Sequence, residues 1–211
     1  MKAVILLTVA LCSAAYCAEA QPEHAALTLP DLLGARAIQI SHSWTGLSPV
    51  APTRALWRLE RGADGFNGSA NFRARMPPLR KETSESLMLP AAVAAQFLAA
   101  LASVPVREAE IDPRSPPGNP IVKLPASAAP RITDHYPSTT ITVSLADTTV
   151  SYSSTSQEPS GRPWVVSVGN RMYISDSEAT GHALDALRGY LKWERYSELQ
   201  TQVMNAWQRS R

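Results

Sequence analysis

Four histidines lie outside the first twenty residues of this chain: His24, His42, His135 and His182. Imidazole serves as a general base or as a metal ligand near neutral pH, so these positions are the first place to look for chemistry. Ser41-His42-Ser43 and Asp134-His135 together contain a nucleophile, a base and an orienting carboxylate, the residue types hydrolysis needs. The linear spacing of the histidines fits no metal motif, and His42, His135 and His182 form a metal site only if folding makes them converge. HExxH, phosphate-loop, nucleophile-elbow and dinucleotide-binding patterns are absent. No cofactor is implied.

Residues suited to contact rather than catalysis are denser. Trp44 opens the segment WTGLSPVAP, which places an indole next to Gly46, Pro49 and Pro52 between two strand-like stretches. An indole on such a loop suits a partner surface or a sugar ring, while the plainer reading is that Trp44 folds back to cover the sheet edge. Arg54, Arg58 and Arg61 follow, then Arg73, Arg75, Arg80 and Lys81, with Glu60, Asp64, Glu82 and Glu85 interspersed. This basic run could suit an anionic lipid, glycan or acidic protein patch, but the interspersed acids favour reading it as an ordinary solvated face. Trp44, Trp57, Arg54 and Arg58 are the binding candidates. Asn67-Gly-Ser69 matches a glycosylation acceptor on an expected turn.

The elements that must position these residues follow from periodicity. Residues 36–43 alternate as a first strand, and 54–61 place Ala55, Trp57 and Leu59 on one face and Arg54, Arg58 and Glu60 on the other. Gly62 to Gly65 reads as a turn, 66–73 as the returning strand, and 74–88 as a structureless basic stretch. Val93, Phe97, Leu98 and Leu101 recur at helical spacing after Pro90. Seven prolines then punctuate residues 105–131, with a short strand expected at 121–124. Strands are expected at 140–145, from Val150, at 164–168 and at 171–175; helices follow over about 177–191, with Asp176 or Ser177 as its cap and Asp176 preferred, and about 193–208. Residues 148–160 are rich in hydroxyls and read as an exposed edge or loop. The fold class expected is α+β: an antiparallel sheet with helices packed on one face and a pseudo-duplicated β-β-(β)-α unit. The first half would span 35–104, the connection 105–131 and the second half 132–211.

Residues 1–20, MKAVILLTVALCSAAYCAEA, read as a signal peptide, with Lys2 ahead of an apolar run and Ala18-Glu19-Ala20 as a small-x-small cleavage site. Cleavage would leave 191 of the 211 residues as a single α+β domain, 21–211, long enough for one substantial core. It would also remove Cys12 and Cys17 and make the mature chain cysteine-free. Periplasmic or secreted localisation follows from this reading. A lipoprotein anchor at Cys17 is disfavoured by the bulky Tyr16 beside it. The apolar run falls far short of the ~20 residues that span a bilayer, so no transmembrane segment is expected in the mature chain. A formal charge of +2 gives no steering field for nucleic acid.

The function expected is that of an exported, non-catalytic periplasmic or secreted binding protein with an envelope or extracellular protein or a glycan as partner. The alternative is an envelope hydrolase or metal-dependent enzyme using His42, His135 and His182. A third reading, a subunit of an envelope assembly, requires an exposed apolar patch or edge strand.

Overall fold

Alternation of side chains across a pleated strand decides which residues this sheet buries. In the computed structural model, residues 29–44, 52–116, 120–123, 137–154 and 163–211 are described. Strands β1 (Ala37–Trp44), β2 (Thr53–Arg61), β3 (Gly65–Met76) and β4 (Leu79–Pro90) form an antiparallel meander that leads into helix α1 (Ala91–Ala102). A short strand β5 (Arg107–Glu108) follows. A second meander, β6 (Pro137–Ser144), β7 (Thr149–Ser154), β8 (Trp164–Val168) and β9 (Arg171–Ser175), leads into α2 (Ala179–Leu187) and α3 (Trp193–Arg209).

The two meanders join through their first strands. β1 and β6 pair antiparallel from Ala37↔Ser144 to Trp44↔Pro137, giving one nine-stranded sheet in the order β4-β3-β2-β1-β6-β7-β8-β9-β5. Each half thus has the order of four strands and then a helix, and Ile40 meets Ile141 near the middle of the seam. The expected α+β class, with an antiparallel sheet and helices packed against it, is what the chain adopts.

Every other residue points into a single core. Ile38 and Ile40, Ala55, Trp57 and Leu59, Ala70, Phe72 and Ala74, Ile141 and Val143, Val150 and Tyr152, and Trp164 and Val166 are buried with the helix residues Phe97, Leu101, Leu187, Tyr196, Leu199 and Val203. α3 packs on β2, β3 and β4, while α1 packs on β3, β4 and α2. Among the described residues the opposite face of the sheet carries no helix and holds the polar residues of the same strands.

Two aromatic side chains tie the halves together reciprocally. Trp57 on β2 donates its indole N–H to the Leu191 carbonyl beyond α2, at 2.7 Å. Tyr152 on β7 donates its hydroxyl to the Leu101 carbonyl in α1, at 3.0 Å. These strands occupy matching places: Trp57 faces Ile40 and Tyr152 faces Ile141, the two residues that meet at the seam. A strand of each half therefore satisfies a carbonyl at the end of the other half's helical segment. Leu191 is held for this by a Schellman turn, in which Trp193 N–H bonds the Arg188 carbonyl and Lys192 N–H the Gly189 carbonyl. Lys192 takes the left-handed conformation there, with φ 50°, a position more often held by glycine.

Several expectations are corrected. Residues 74–88 are not structureless: β3 runs on to Met76, and β4 occupies 79–90. The pattern was hidden because the inward residues of this edge strand are not all apolar. Lys81 reaches Gln202 and Glu85 reaches Lys192, so α3 covers polar side chains there. Among the described residues near 121–124 the β pairing is a single bridge, Ile111↔Val122, while Arg107 and Glu108 form the strand that extends the sheet past β9. Asp176 does not cap α2; it pairs with Arg107 at 3.3 Å, and Ser177 Oγ accepts the Ala179 N–H instead. Asn67 lies within β3, paired on both sides, rather than on a turn. The expectation of a cysteine-free chain is also corrected. The chain contains Cys12 and Cys17, both outside the described residues, and the expectation rested entirely on removal of the leader.

Gly68 marks the tightest approach within the sheet. A Cβ at this position would lie 1.8 Å from the Arg58 carbonyl oxygen, so only glycine lets β2 and β3 meet there.

The reciprocal anchors have unequal weights. Trp57→Phe should cost about 2–4 kcal/mol, combining a cavity with a buried carbonyl that loses its donor. Tyr152→Phe should cost about 1 kcal/mol, because Leu101 O still accepts from Val104 N–H. Urea unfolding of the two variants measures the difference, and equal losses would contradict this account.

Candidate functional site

The open face of β1, β2 and β3 is where the arginines gather. Alternation turns Trp57 inward and therefore Arg54 and Arg58 outward. Arg73 and Arg75 point the same way from β3, and Ser41 and Ser43 from β1. Pairing aligns them into rows across the sheet. One row reads Ser138, Ser43, Arg54, Arg73, Glu82, and the next reads Thr140, Ser41, Leu56, Asn71, Ser84.

Two adjoining clefts lie over these rows. The larger, about 410 Å³, is lined by Ser41, Ser43, Arg54, Arg73, Arg75 and Ser138, with Trp44, Pro52 and Thr53 at its end. The second, about 240 Å³, is lined by Arg54, Leu56, Arg58, Asn71, Arg73 and Glu82. Arg54 and Arg73 belong to both, so the clefts form one groove along β2 and β3.

The groove's electrostatics are lopsided. Arg54 and Arg73 stand directly opposite each other, as do Arg75 and Arg80. Like charges so placed are destabilising by roughly 0.2–1 kcal/mol per pair. Glu82 is the one carboxylate among the described lining residues. It binds Arg73 Nη2 at 3.1 Å and Arg80 Nη2 at 2.8 Å, and those hydrogen bonds hold its carboxyl below the usual carboxylate range. Arg54, Arg58 and Arg75 have no ion-pair partner among the described residues.

The sequence candidates separate sharply. Arg54 and Arg58 are exposed in the groove, and Trp44 is partly exposed at its end. Trp57 is fully buried, stacked on Trp193 at 4.8 Å, and is an anchor of the core rather than a contact residue. Arg73 and Arg75 complete the basic cluster. Sequence reading placed them in the basic run, but their alignment with Arg54 is set by the β2–β3 register. The remainder of the Trp44–Pro52 loop, residues 45–51, lies outside the described residues.

The two described histidines, His42 and His182, do not form a site together. His42 points inward from β1, with Nδ1 2.8 Å from Thr139 Oγ1 and its ring 4.9 Å from Trp193 and 5.1 Å from Tyr196. Burial, reinforced by the Arg188 charge, pushes its pKa down to about 4, so the ring is neutral and packed. His182 is exposed on α2 near Glu178. His24 and His135 lie outside the described residues. Among the described residues no group of three or more His, Cys, Asp or Glu is placed to hold a metal ion. No helix among them is long and apolar enough to cross a membrane.

The groove floor is coupled to the core beneath it. Thr53 donates to Tyr196 Oη at 2.6 Å and accepts from Gln200 Nε2 at 3.1 Å, pinning α3 under the end of the groove. No protein-family model, curated protein or solved structure matches this chain, so the reading of the groove rests on its own geometry.

Burial of neutral His42 sets a pH dependence. The unfolded chain takes up a proton below about pH 6.5, whereas the folded chain resists protonation until about pH 4. Stability from this group is therefore complete above pH 6.5 and declines as the pH falls toward 4, by at most about 3 kcal/mol. His42→Gln should flatten that part of the stability profile. The difference between the two proteins in urea midpoints from pH 7 to 4 measures it, and parallel profiles would refute the assignment.

Proposed function

We propose that this chain is an exported, non-catalytic binding protein that takes a polyanionic ligand in the groove on the open sheet face. The observation that carries this reading is the direct opposition of Arg54 and Arg73, flanked by Arg75 and Arg58, with Glu82 as the single carboxylate among the described lining residues. Opposed guanidinium groups cost the fold stability and contribute nothing to its core. An anion placed between them turns that cost into paired, charge-assisted hydrogen bonds. Export is supported by the leader-like residues 1–20. The enzyme reading has no comparable support, since His42 is covered by two aromatic rings and His182 faces solvent.

The arrangement also supports four linked charges rather than one pocket. Arg73 and Arg75 are two residues apart on β3, and Arg54 and Arg58 four apart on β2. At about 3.4 Å per residue, the cationic line extends roughly 20 Å along the strands. A single small anion would engage only part of it.

Function and stability should separate in opposite directions here. Arg54→Gln should leave stability unchanged or raise it by about 0.2–1 kcal/mol, because it removes a like-charge pair. The double variant R54Q/R73Q should weaken binding of soluble polyanions such as polyglutamate, polyphosphate or dextran sulfate by about 10–100-fold. Wild-type binding should also fall with added salt. Calorimetric titration with thermal unfolding of the same samples reads both effects; unchanged affinity for all three polyanions would overturn the reading.

A further inference from the structure

We infer that the ligand of this groove is an acidic polysaccharide, its carboxylate or sulfate groups held by the arginines and its hydroxyls by the polar rows beside them. The inference rests on the polyanion reading above and narrows it to one chemical class.

The first argument is topological. A peptide that recognises a sheet by its backbone needs an unpaired strand edge. The groove lies over β1, β2 and β3, each of which is hydrogen-bonded to a strand on both sides. Main-chain pairing is therefore unavailable there, and recognition falls entirely to side chains.

The second argument is the chemistry of those side chains. A peptide anchored by its side chains favours an apolar or aromatic pocket. In this groove Leu56 is the one aliphatic side chain among the described lining residues, with Pro52 and Trp44 at the end. Around the arginines the surface is instead amide and hydroxyl. Ser41 lies beside Thr140, Ser43 beside Ser138, and Gln39 beside Thr142. Asn71 accepts the Ser84 hydroxyl through Oδ1 at 2.5 Å, which leaves its amide N–H groups without a partner among the described residues. Ser43 and Ser138 share a long 3.2 Å contact that a ligand hydroxyl can replace. The polar field continues away from the arginines through Thr142, Ser151 and Ser167, which align across β6, β7 and β8.

A chain bearing regular anionic groups and many hydroxyls complements the unpaired arginines and the polar rows together. A phospholipid surface offers closely packed headgroups on a plane and does not use a hydroxyl-lined cleft.

Three probes of matched length separate the possibilities: hexagalacturonate, hexaglutamate with blocked ends, and neutral maltohexaose, titrated into the full chain by calorimetry. Hexagalacturonate should bind at least about tenfold more tightly than either of the others. R54Q/R73Q should weaken binding of both acidic probes. The double variant S41A/N71A should weaken hexagalacturonate several-fold and leave hexaglutamate unchanged, with thermal unfolding confirming that both variants fold. Hexaglutamate binding as tightly as hexagalacturonate, or losing as much in S41A/N71A, would overturn the glycan assignment and leave the polyanion reading standing. Arginine-dependent binding to anionic phosphatidylglycerol vesicles, with none to hexagalacturonate, would also overturn it. If no soluble polyanion and no vesicle binds in an arginine-dependent way, both readings fall.

Discussion

The seam between β1 and β6 is the constraint on which the rest of this fold depends. Eight residues of each strand pair from Ala37↔Ser144 to Trp44↔Pro137, and the two meanders become one sheet. Four of their inward residues, Ile38, Ile40, Ile141 and Val143, are fully buried. Without that pairing each meander would present β1 or β6 as a bare edge with an apolar row beneath it. With it, the two helical segments can cross over and cap each other's half. The Trp57–Leu191 and Tyr152–Leu101 hydrogen bonds exist only because the seam sets β2 and β7 at equal distances on either side of it. Register does the rest, since a slip of one residue would exchange the core face for the groove face throughout.

The same alternation divides labour between the two faces. Each inward residue of β2 helps hold the fold, and each outward residue is left for solvent or a ligand. Trp57 and Arg58 are neighbours in sequence, yet one is a core anchor and the other is exposed in the groove. Thr53 lies at the junction. It lines the end of the cleft while its hydroxyl is bound to Tyr196 beneath the sheet. Tyr196 in turn packs against His42, and His42 against Trp193. The rigidity of the binding face thus comes from an aromatic cluster behind it. Side chains that must hold a ligand lose less entropy when the backbone beneath them is already fixed.

Much of this was legible from the chain, and the failures have physical causes. The strand β2 and the helix α1 announce themselves by clean periodicity, β8 and β9 by an apolar run either side of Gly169-Asn170, and α3 by a rougher helical register. The period-2 pattern also separates Trp57 from Arg54 and Arg58, so the burial of Trp57 was readable even where its aromatic character suggested a contact. β4 was not readable, because an edge strand partly covered by a polar stretch of α3 has no apolar alternation. Lys81 and Glu85 are inward residues satisfied by Gln202 and Lys192, partners more than a hundred positions away. Missing β4 also hid the meaning of Arg73 and Arg75. The basic run is visible in the sequence, but opposition of Arg54 to Arg73 is a property of register, and register is not local. His42 shows the same limit, since its neutral state depends on burial beneath α3 and on Arg188.

The position of the uncompensated charge argues against an ordinary solvated face. A surface arginine is normally free to turn toward a carboxylate, and the chain has enough of these to keep its net charge at +2. Glu85 faces inward and serves Lys192 and Arg195, while Glu82 is shared between Arg73 and Arg80. Glu60 lies two residues beyond Arg58 on the same strand, outside the lining of both clefts. Of these carboxylates, Glu85 is turned into the fold, Glu82 is held at the β4 side of the groove, and Glu60 stands at the far end of β2 beyond both clefts. What remains over β2 is a strip of fixed backbone with guanidinium groups at Arg54 and Arg58 and no partner among the described residues. In a protein of nearly balanced charge, this local excess arises from strand register rather than from composition. A stability-neutral exchange of one groove arginine for glutamate would relieve it, so its presence on a rigid face is best accounted for by an anion supplied from outside.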